Sequence, residues 1–376
     1  MRLFAALALF ALIACATSPA PSVPSGAAID AEALRLMAAE DVKGMAVAVI
    51  DNGQVVHVAA YGHRNVERNL PLQTDTIMYG ASVTKAAFAY MVMQLVDEGQ
   101  LDLDRSIAEY LPRPLPEYEY YTDLAGDERW RQLTARILLT HRSGFANMRV
   151  LEEDRRLRFH FTPGERYAYS NEGFWVLQTV LEEGLGLDIK AEMQRRVWDR
   201  FGMTRTDMQW RDDFAGNLAD GYAMDGTFEP HDRRDNVAAA GSMDTTIADQ
   251  ARLWAGILRG DGLTPASRAE FVRGQFPVNN ARQFPTLSTA TDPRGAEIDL
   301  SAGPGLMTFN DPQAGLTWFR GGHNDWTGNI VICQEMRRRC VIFFGNSVRA
   351  ELIYPDLARF ILGENAMPWW WMYEFE

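Results

Sequence analysis

Ser82 and Lys85 stand three residues apart in the stretch YGASVTKAAFAYMVMQLVDEG, Tyr79 to Gly99. Residues at i and i+3 share one helix face, one turn apart. The following run is apolar nearly all round, so its helix is expected to be buried. Gly99 is its stop signal. A helix starting near Ala81 puts Ser82 in the first turn, where free N–H groups and the dipole favour developing negative charge. A hydroxyl there, with an amine one turn above it, is a nucleophile and its activator. The plainer reading is a capping serine beside a solvated lysine. Composition weighs against that reading. Twelve serines and three lysines in 376 residues give about 0.1 chance pair at this spacing. A lysine inside an apolar helix also needs a reason, because burial disfavours its charge.

Two further groups could supply chemistry. Tyr169-Ser170-Asn171 lies between a Pro163-Gly164 turn and a helical run from Gly173, where a loop can present side chains to a cleft. Taken alone, Tyr-x-Asn also reads as a packed Tyr with a capping Asn. Gly321-Gly322-His323-Asn324-Asp325-Trp326 follows the expected strand Leu316–Arg320. Paired glycines at a strand end let another group approach the backbone. The lone His323 reads equally as a structural residue or a functional one. No zinc-like spacing, P-loop or Gly-x-Gly-x-x-Gly is present, so no cofactor or metal is expected.

The elements that must position these groups come from both ends of the chain. Ala31–Glu40 reads as a helix. Met45–Ile50 and Gln54–Ala60 read as strands joined by Asp51-Asn52-Gly53, a strong hairpin signal. Leu101 to about Thr245 is mostly helical in pattern. It includes expected helices at Asp102–Tyr110, Leu133–Leu139, Gly173–Gly184 and Lys190–Phe201. Pro112–Arg131 between them looks like a surface loop or lid. Thr245–Arg259 is helical, with Thr245 or Thr246 as cap. Leu306–Phe309, Leu316–Arg320, Asn329–Cys333 and Cys340–Gly345 read as strands, and Ala350–Leu362 as a closing helix. This predicts an α/β (α+β) sheet fed from both termini and interrupted by a helical insert. Residues 31–78 and 245–366 form the sheet domain, and 79–244 the helical one carrying Ser82, Lys85, Tyr169 and Asn171. Cys333 and Cys340 flank a hairpin turn and could face each other as a disulfide, or lie as two buried thiols. The aromatic tail, 367–376, is expected to pack on the domain rather than touch substrate.

The first residues read as targeting. Arg2 and the apolar Leu3–Ile13 are too short to span a bilayer. Leu12-Ile13-Ala14-Cys15 then reads as a lipobox, with Cys15 lipidated as the mature N-terminus and residues 16–30 a flexible tether. An ordinary secretory leader with an incidental Cys is the alternative. The expected location is the periplasmic side of the envelope, anchored by lipid; the resemblance to a lipobox, with Ala16 rather than Asp after the Cys, implies the outer membrane. A net charge of −13 argues against nucleic acid as partner, and against membrane binding by surface charge.

Taken together, the three motifs resemble the serine β-lactamase-related hydrolases. The likeness is to the class C β-lactamase-like and penicillin-binding-protein-like branch, with its esterases and D-aminopeptidases. That pattern is Ser-x-x-Lys, then Tyr-x-Asn, then Lys/His-x-Gly. Here it reads Ser82/Lys85, Tyr169/Asn171 and His323, in that order, across residues 40–350. The linking phrases Asp97–Asp104, Leu138–Gly144 and Ala240–Asp249 fit as well. The resemblance implies a β-lactamase/transpeptidase-like fold and acyl transfer to a small ester, amide or D-amino-acid substrate, an ester first. Ser82 would attack, with Lys85 or Tyr169 taking the proton. Asn171 would hold Lys85 and the substrate. His323, Asn324 and Asp325 would meet the substrate, and the N–H groups of Ser82 and Trp326 would form the oxyanion hole. The alternatives are a D-amino-acid peptidase, a weak β-lactamase, or a catalytically silent protein binding peptidoglycan-like ligands. Asp325 replaces the pattern's glycine, and a carboxylate there changes which substrates fit. His323 in place of Lys weakens recognition of a substrate carboxylate.

Overall fold

The computed structural model describes residues 22–373. The leader with Cys15, the first part of the tether and the last three residues lie outside the described residues.

The chain enters through α1 (Gly26–Ala39), which starts inside the segment expected as tether. Ser25 Oγ accepts the Ala28 N–H at 3.3 Å, and Ile29 is fully buried. A cap and a buried face outweigh the Pro/Ser-rich composition just before them. β1 (Gly44–Asp51) and β2 (Gln54–Asn65) form the expected hairpin. Its turn residues Asn52 and Gly53 both have positive φ, as this tight turn requires. β3 (Leu70–Pro71) lies at the sheet edge, and β4 (Met78–Tyr79) leads to the Ser82 turn. α2 (Thr84–Asp97) follows, with every side chain from Thr84 to Leu95 buried.

The central region carries α3 (Ala135–Leu139) and α4 (Asn171–Thr179). α5 (Ile189–Met193) then runs through a π-helical turn into α6 (Asp199–Phe201). β5 (Gly221–Tyr222) pairs with β6 (Phe228–Glu229), and β7 (Asp244–Thr245) pairs with β4. Two expectations fail here. The helix over Asp102–Tyr110 shrinks to one 3-10 turn at Ile107–Glu109, because the Ile107 N–H donates to Leu133 O of a neighbouring segment. The Pro112–Arg131 lid is folded down instead. Leu115, Tyr121, Leu124 and Trp130 enter the main core, none more than 2% exposed.

α7 (Ile247–Arg259) is capped by Thr246, whose Oγ1 accepts the Asp249 N–H at 3.1 Å. After it come α8 (Pro265–Val272), β8 (Phe276–Pro277), α9 (Arg294–Glu297), β9 (Ser301–Ala302) and β10 (Met307–Asp311). The chain ends with β11 (Gly315–Asn324), β12 (Thr327–Gln334), β13 (Arg339–Gly345), α10 (Tyr354–Leu362) and α11 (Trp369–Met372). Among the described residues, nine strands form one antiparallel sheet, ordered β3-β2-β1-β13-β12-β11-β10-β9-β8. β1 lies beside β13, with Val47 opposite Phe343, so both chain ends build its centre.

Alternate residues feed two cores. Ala46, Ala48, Ile342 and Phe344 face the core containing α2 and α7; Met45, Val47, Val341 and Phe343 face the one containing α1 and α10. Both sheet faces are covered, which is why β1 reads as a continuous apolar run. Cys333 and Cys340 pair in register on β12 and β13 and form a disulfide. β10 pairs with β11 only as far as Phe319, so Arg320–Asn324 have a strand partner on the β12 side alone.

Candidate active site

The Ser82 turn is pinned from three sides. Ala81, just before it, has φ +45°, a left-handed conformation that costs energy for a residue with a Cβ. The surroundings hold it there. The Gly80 N–H donates to Met243 O at 2.8 Å, and Thr84 Oγ1 donates to Ala81 O at 2.6 Å. From the third side β11 comes close. A Cβ on Gly322 would lie 2.7 Å from Gly80 O and 2.9 Å from Val83 N. Only glycine permits that approach, the use expected of the paired glycines.

Ser82 Oγ is 2.6 Å from the Tyr169 hydroxyl and 2.9 Å from Lys85 Nζ. Lys85 is fully buried, and its Nζ also donates to Ala240 O at 2.5 Å. Burial first, then the nearby Arg320 charge, hold its ammonium well below the usual lysine range. Arg320 leaves the end of β11's paired stretch. Its Nε donates to Ser82 O at 3.0 Å and its Nη2 to the Tyr169 oxygen at 3.2 Å. His141 stacks on the Tyr169 ring, centroids 4.4 Å apart. The Ser170 N–H donates to His141 Nδ1 at 3.1 Å. A backbone N–H can only donate, so Nδ1 accepts from it, and Arg320 Nη1 lies 3.4 Å from the other ring nitrogen, Nε2. Burial, then the charges of Arg320 and Lys85, keep His141 neutral far below the usual histidine range.

The structure brings the expected Ser82, Lys85 and Tyr169 together and adds Arg320 and His141, which sequence reasoning missed. Arg320 had one signal, a cation closing an apolar strand. His141 lay inside a phrase read as linker. Asn171 is placed differently from expectation. It lines the cleft, but Lys85 is held by Ser82 and Ala240 instead. Asn171 Oδ1 is buried without a partner among the described residues. Ser170 Oγ caps α4 by accepting the Gly173 N–H, which orients Tyr169 on one side and Asn171 on the other.

The cleft over Ser82 has a volume of about 940 Å³. Met148, Leu151, Phe284, Met307, Phe319 and Trp371 give it apolar walls. His323 and Asn324 lie on the free end of β11, and Asp325-Trp326 form a two-residue turn into β12. Two expectations change as a result. Asp325 sits at the exposed turn rather than along the strand. The Trp326 N–H is already given to Asn324 Oδ1 at 2.9 Å, so it is not an open oxyanion donor. The tail also differs from expectation. Trp371 is buried as anticipated, yet Trp371, Met372 and Tyr373 line the cleft itself. Among the described residues, no cluster of His, Cys, Asp or Glu is arranged to hold a metal ion, and no helix is long and apolar enough to cross a membrane.

The family model described as Beta-lactamase matches residues 29–362, and the chain belongs to that family of serine hydrolases. It is 27% identical over 250 residues to "Unguisins hydrolase ungD" of Aspergillus violaceofuscus, covering 59% of this chain and 42% of that protein. The chain thus spans less than half the length of that relative. It is 26% identical over 353 residues to "Lovastatin esterase" of Penicillium rubens, covering 79% of this chain and 86% of that protein. Among solved structures, "A class C beta-lactamase" superposes with a TM-score of 0.71 at 16% identity, covering 90% of this chain and 97% of that one. The fold is accordingly β-lactamase/transpeptidase-like.

Proposed function

We propose that this protein cleaves a small ester with a bulky apolar portion, through an acyl-enzyme on Ser82. One observation carries the reading: Ser82 Oγ meets Lys85 Nζ and the Tyr169 hydroxyl at once, at 2.9 and 2.6 Å. Arg320 can only donate, so the Tyr169 oxygen accepts from it; in this scheme Tyr169 points its own hydrogen at Ser82. Lys85, short of its proton, takes the Ser82 hydrogen as the Oγ–carbon bond forms. The departing alcohol takes the Tyr169 proton, and Arg320 offsets the phenolate charge. A water then gives its proton to Tyr169 and attacks the acyl carbon. Ser82 leaves with the proton from Lys85, releasing the acid. The Ser82 N–H at the start of its turn is one oxyanion donor, and the unpaired edge of β11 supplies the second. Each such donor is worth about 3–4 kcal/mol.

The apolar walls favour an ester over a charged peptide, and the ester activity of one relative agrees. The exposed Asp325 favours a second reading, a D-amino-acid peptidase, because a carboxylate at the mouth would pair with a substrate ammonium. Cys15 lipidation at the envelope belongs to the same proposal. Alkynyl-palmitate labelling that is lost in Cys15→Ser supports it. The main test is intact mass after incubation with a fluorophosphonate, followed by rates on a series of p-nitrophenyl esters and a D-alanyl amide. A single adduct absent from Ser82→Ala, with rates rising from acetyl to longer acyl chains, supports the reading. No adduct on the folded protein overturns it and leaves the ligand-binding alternative.

A further inference from the structure

Glu351 is a buried carboxylate beside the cleft that none of the steps above uses. It lies on a 3-10 turn, Val348–Leu352, and is 4% exposed. Its Oε1 accepts from His323 Nδ1 at 2.9 Å. The Tyr373 hydroxyl from the tail bonds to the same carboxylate. The space it occupies exists because residue 328 is glycine: a Cβ there would lie 2.4 Å from Glu351 Cγ. Tyr354 is close by, but its hydroxyl donates to Gly328 O at 2.6 Å. Glu351 therefore joins three separate pieces of chain: the β11 end, the turn before α10, and the tail.

The hydrogen bond fixes the chemistry of the ring. An ionised carboxylate can only accept, so His323 Nδ1 keeps its hydrogen whether the ring is charged or neutral. The atom that gains or loses a proton is then Nε2, on the far side of the ring from Glu351. His323 is half-exposed and lines the cleft. We propose that Glu351 is a positioning residue that, steadied by Tyr373, locks neutral His323 into the Nδ1–H tautomer and, while the ring is charged, presents its Nε2–H to a substrate oxygen. This rests on Ser82 being the nucleophile of the same cleft. The charged groups facing His323 are Glu351 and, across the β11–β12 turn, Asp325; the titratable groups facing Glu351 are His323, Tyr373 and Tyr354. Burial of the ring opposes its charge. Glu351 and then Asp325 favour it and prevail, so His323 is raised above the usual histidine value.

The test uses the full chain and two variants. Glu351→Gln keeps an acceptor for Nδ1–H but removes the charge; Glu351→Ala removes both. Long-range 1H–15N NMR of the imidazole nitrogens reads tautomer and titration directly. In the unaltered protein the neutral ring is expected as the Nδ1–H tautomer. In Glu351→Gln that tautomer persists, while the His323 midpoint falls by about one pH unit or more, and the alkaline limb of kcat/KM for an ester falls with it. In Glu351→Ala the tautomers mix and kcat/KM drops further. An Nε2–H tautomer in the unaltered protein overturns the proposal without any variant. An unmoved His323 midpoint in Glu351→Gln overturns it as well. Fluorophosphonate labelling of the unaltered protein keeps the two readings apart, because its failure removes Ser82 as nucleophile while the NMR result on His323 stands.

Discussion

His141 lies behind Tyr169 and His323 at the mouth of the cleft, and their surroundings push them in opposite directions. His141 is sealed in beside the Arg320 guanidinium and Lys85, and accepts a backbone N–H. His323 is half-exposed and donates to a buried carboxylate. The first is driven towards the neutral ring and the second towards the charged one. The difference shows how one small cleft keeps its two ends electrically distinct. The inner end is buried and already holds a guanidinium, so a second or third positive charge there is costly. That cost is what strips Lys85 of its proton and makes it a base. The outer end keeps a cation that water and Glu351 can support.

Breaking the inner end should have the largest effect. Lys85→Ala removes the base, and ester hydrolysis should fall at least about a thousandfold, read as kcat/KM on a protein whose melting curve shows that it is folded. Arg320→Gln comes next. Removing that charge raises both Lys85 and His141, so the acidic limb of the kcat/KM profile should move about one pH unit towards alkali. At pH 7 the rate should drop about tenfold or more. An unshifted limb would mean that burial alone sets Lys85.

Stability should show the two histidines with opposite signs. The folded value of His141 is depressed, so its contribution is complete above the ordinary histidine value near 6.5. It is lost as pH falls below that, because the unfolded chain binds the proton first. His141→Asn should flatten the decline in Tm between pH 7 and pH 5. His323 is raised, so its contribution is present below about pH 6.5 and lost as pH rises through the raised value. His323→Asn should remove that loss. The smallest effect belongs to Asp325, the last and weakest of the groups that favour the His323 charge. Asp325→Asn should lower the His323 midpoint by only about 0.3 pH units, because the turn is exposed and screened.

The fold and the inner end of the site were largely legible in the sequence, for reasons that differ by element. The β1–β2 hairpin could be read because Asn52-Gly53 leaves few other turns open. Ser82, Lys85 and Tyr169 could be read because a lone lysine in an apolar helix stands out. Glu351 could not, since its partner His323 is twenty-eight residues earlier in the chain and nothing local marks a carboxylate for burial. His141 failed for a related reason. Its role follows from stacking on Tyr169, a contact that forms only after α3 and α4 pack. The supposed lid at Pro112–Arg131 misled because its prolines and acids hid aromatic residues spaced for the core. Trp326 misled because a motif position says which residue is near, but not whether its N–H is already spent on a neighbour such as Asn324.

The cleft is walled in part by Trp371, Met372 and Tyr373, which follow α10 in the chain. A ribosome makes Ser82 and Lys85 early, Arg320 and His323 much later, and these three later still. A nascent chain that has folded only its first part therefore still has an open-sided pocket and an unsteadied Glu351, and the site is walled only once the stretch after α10 has been made.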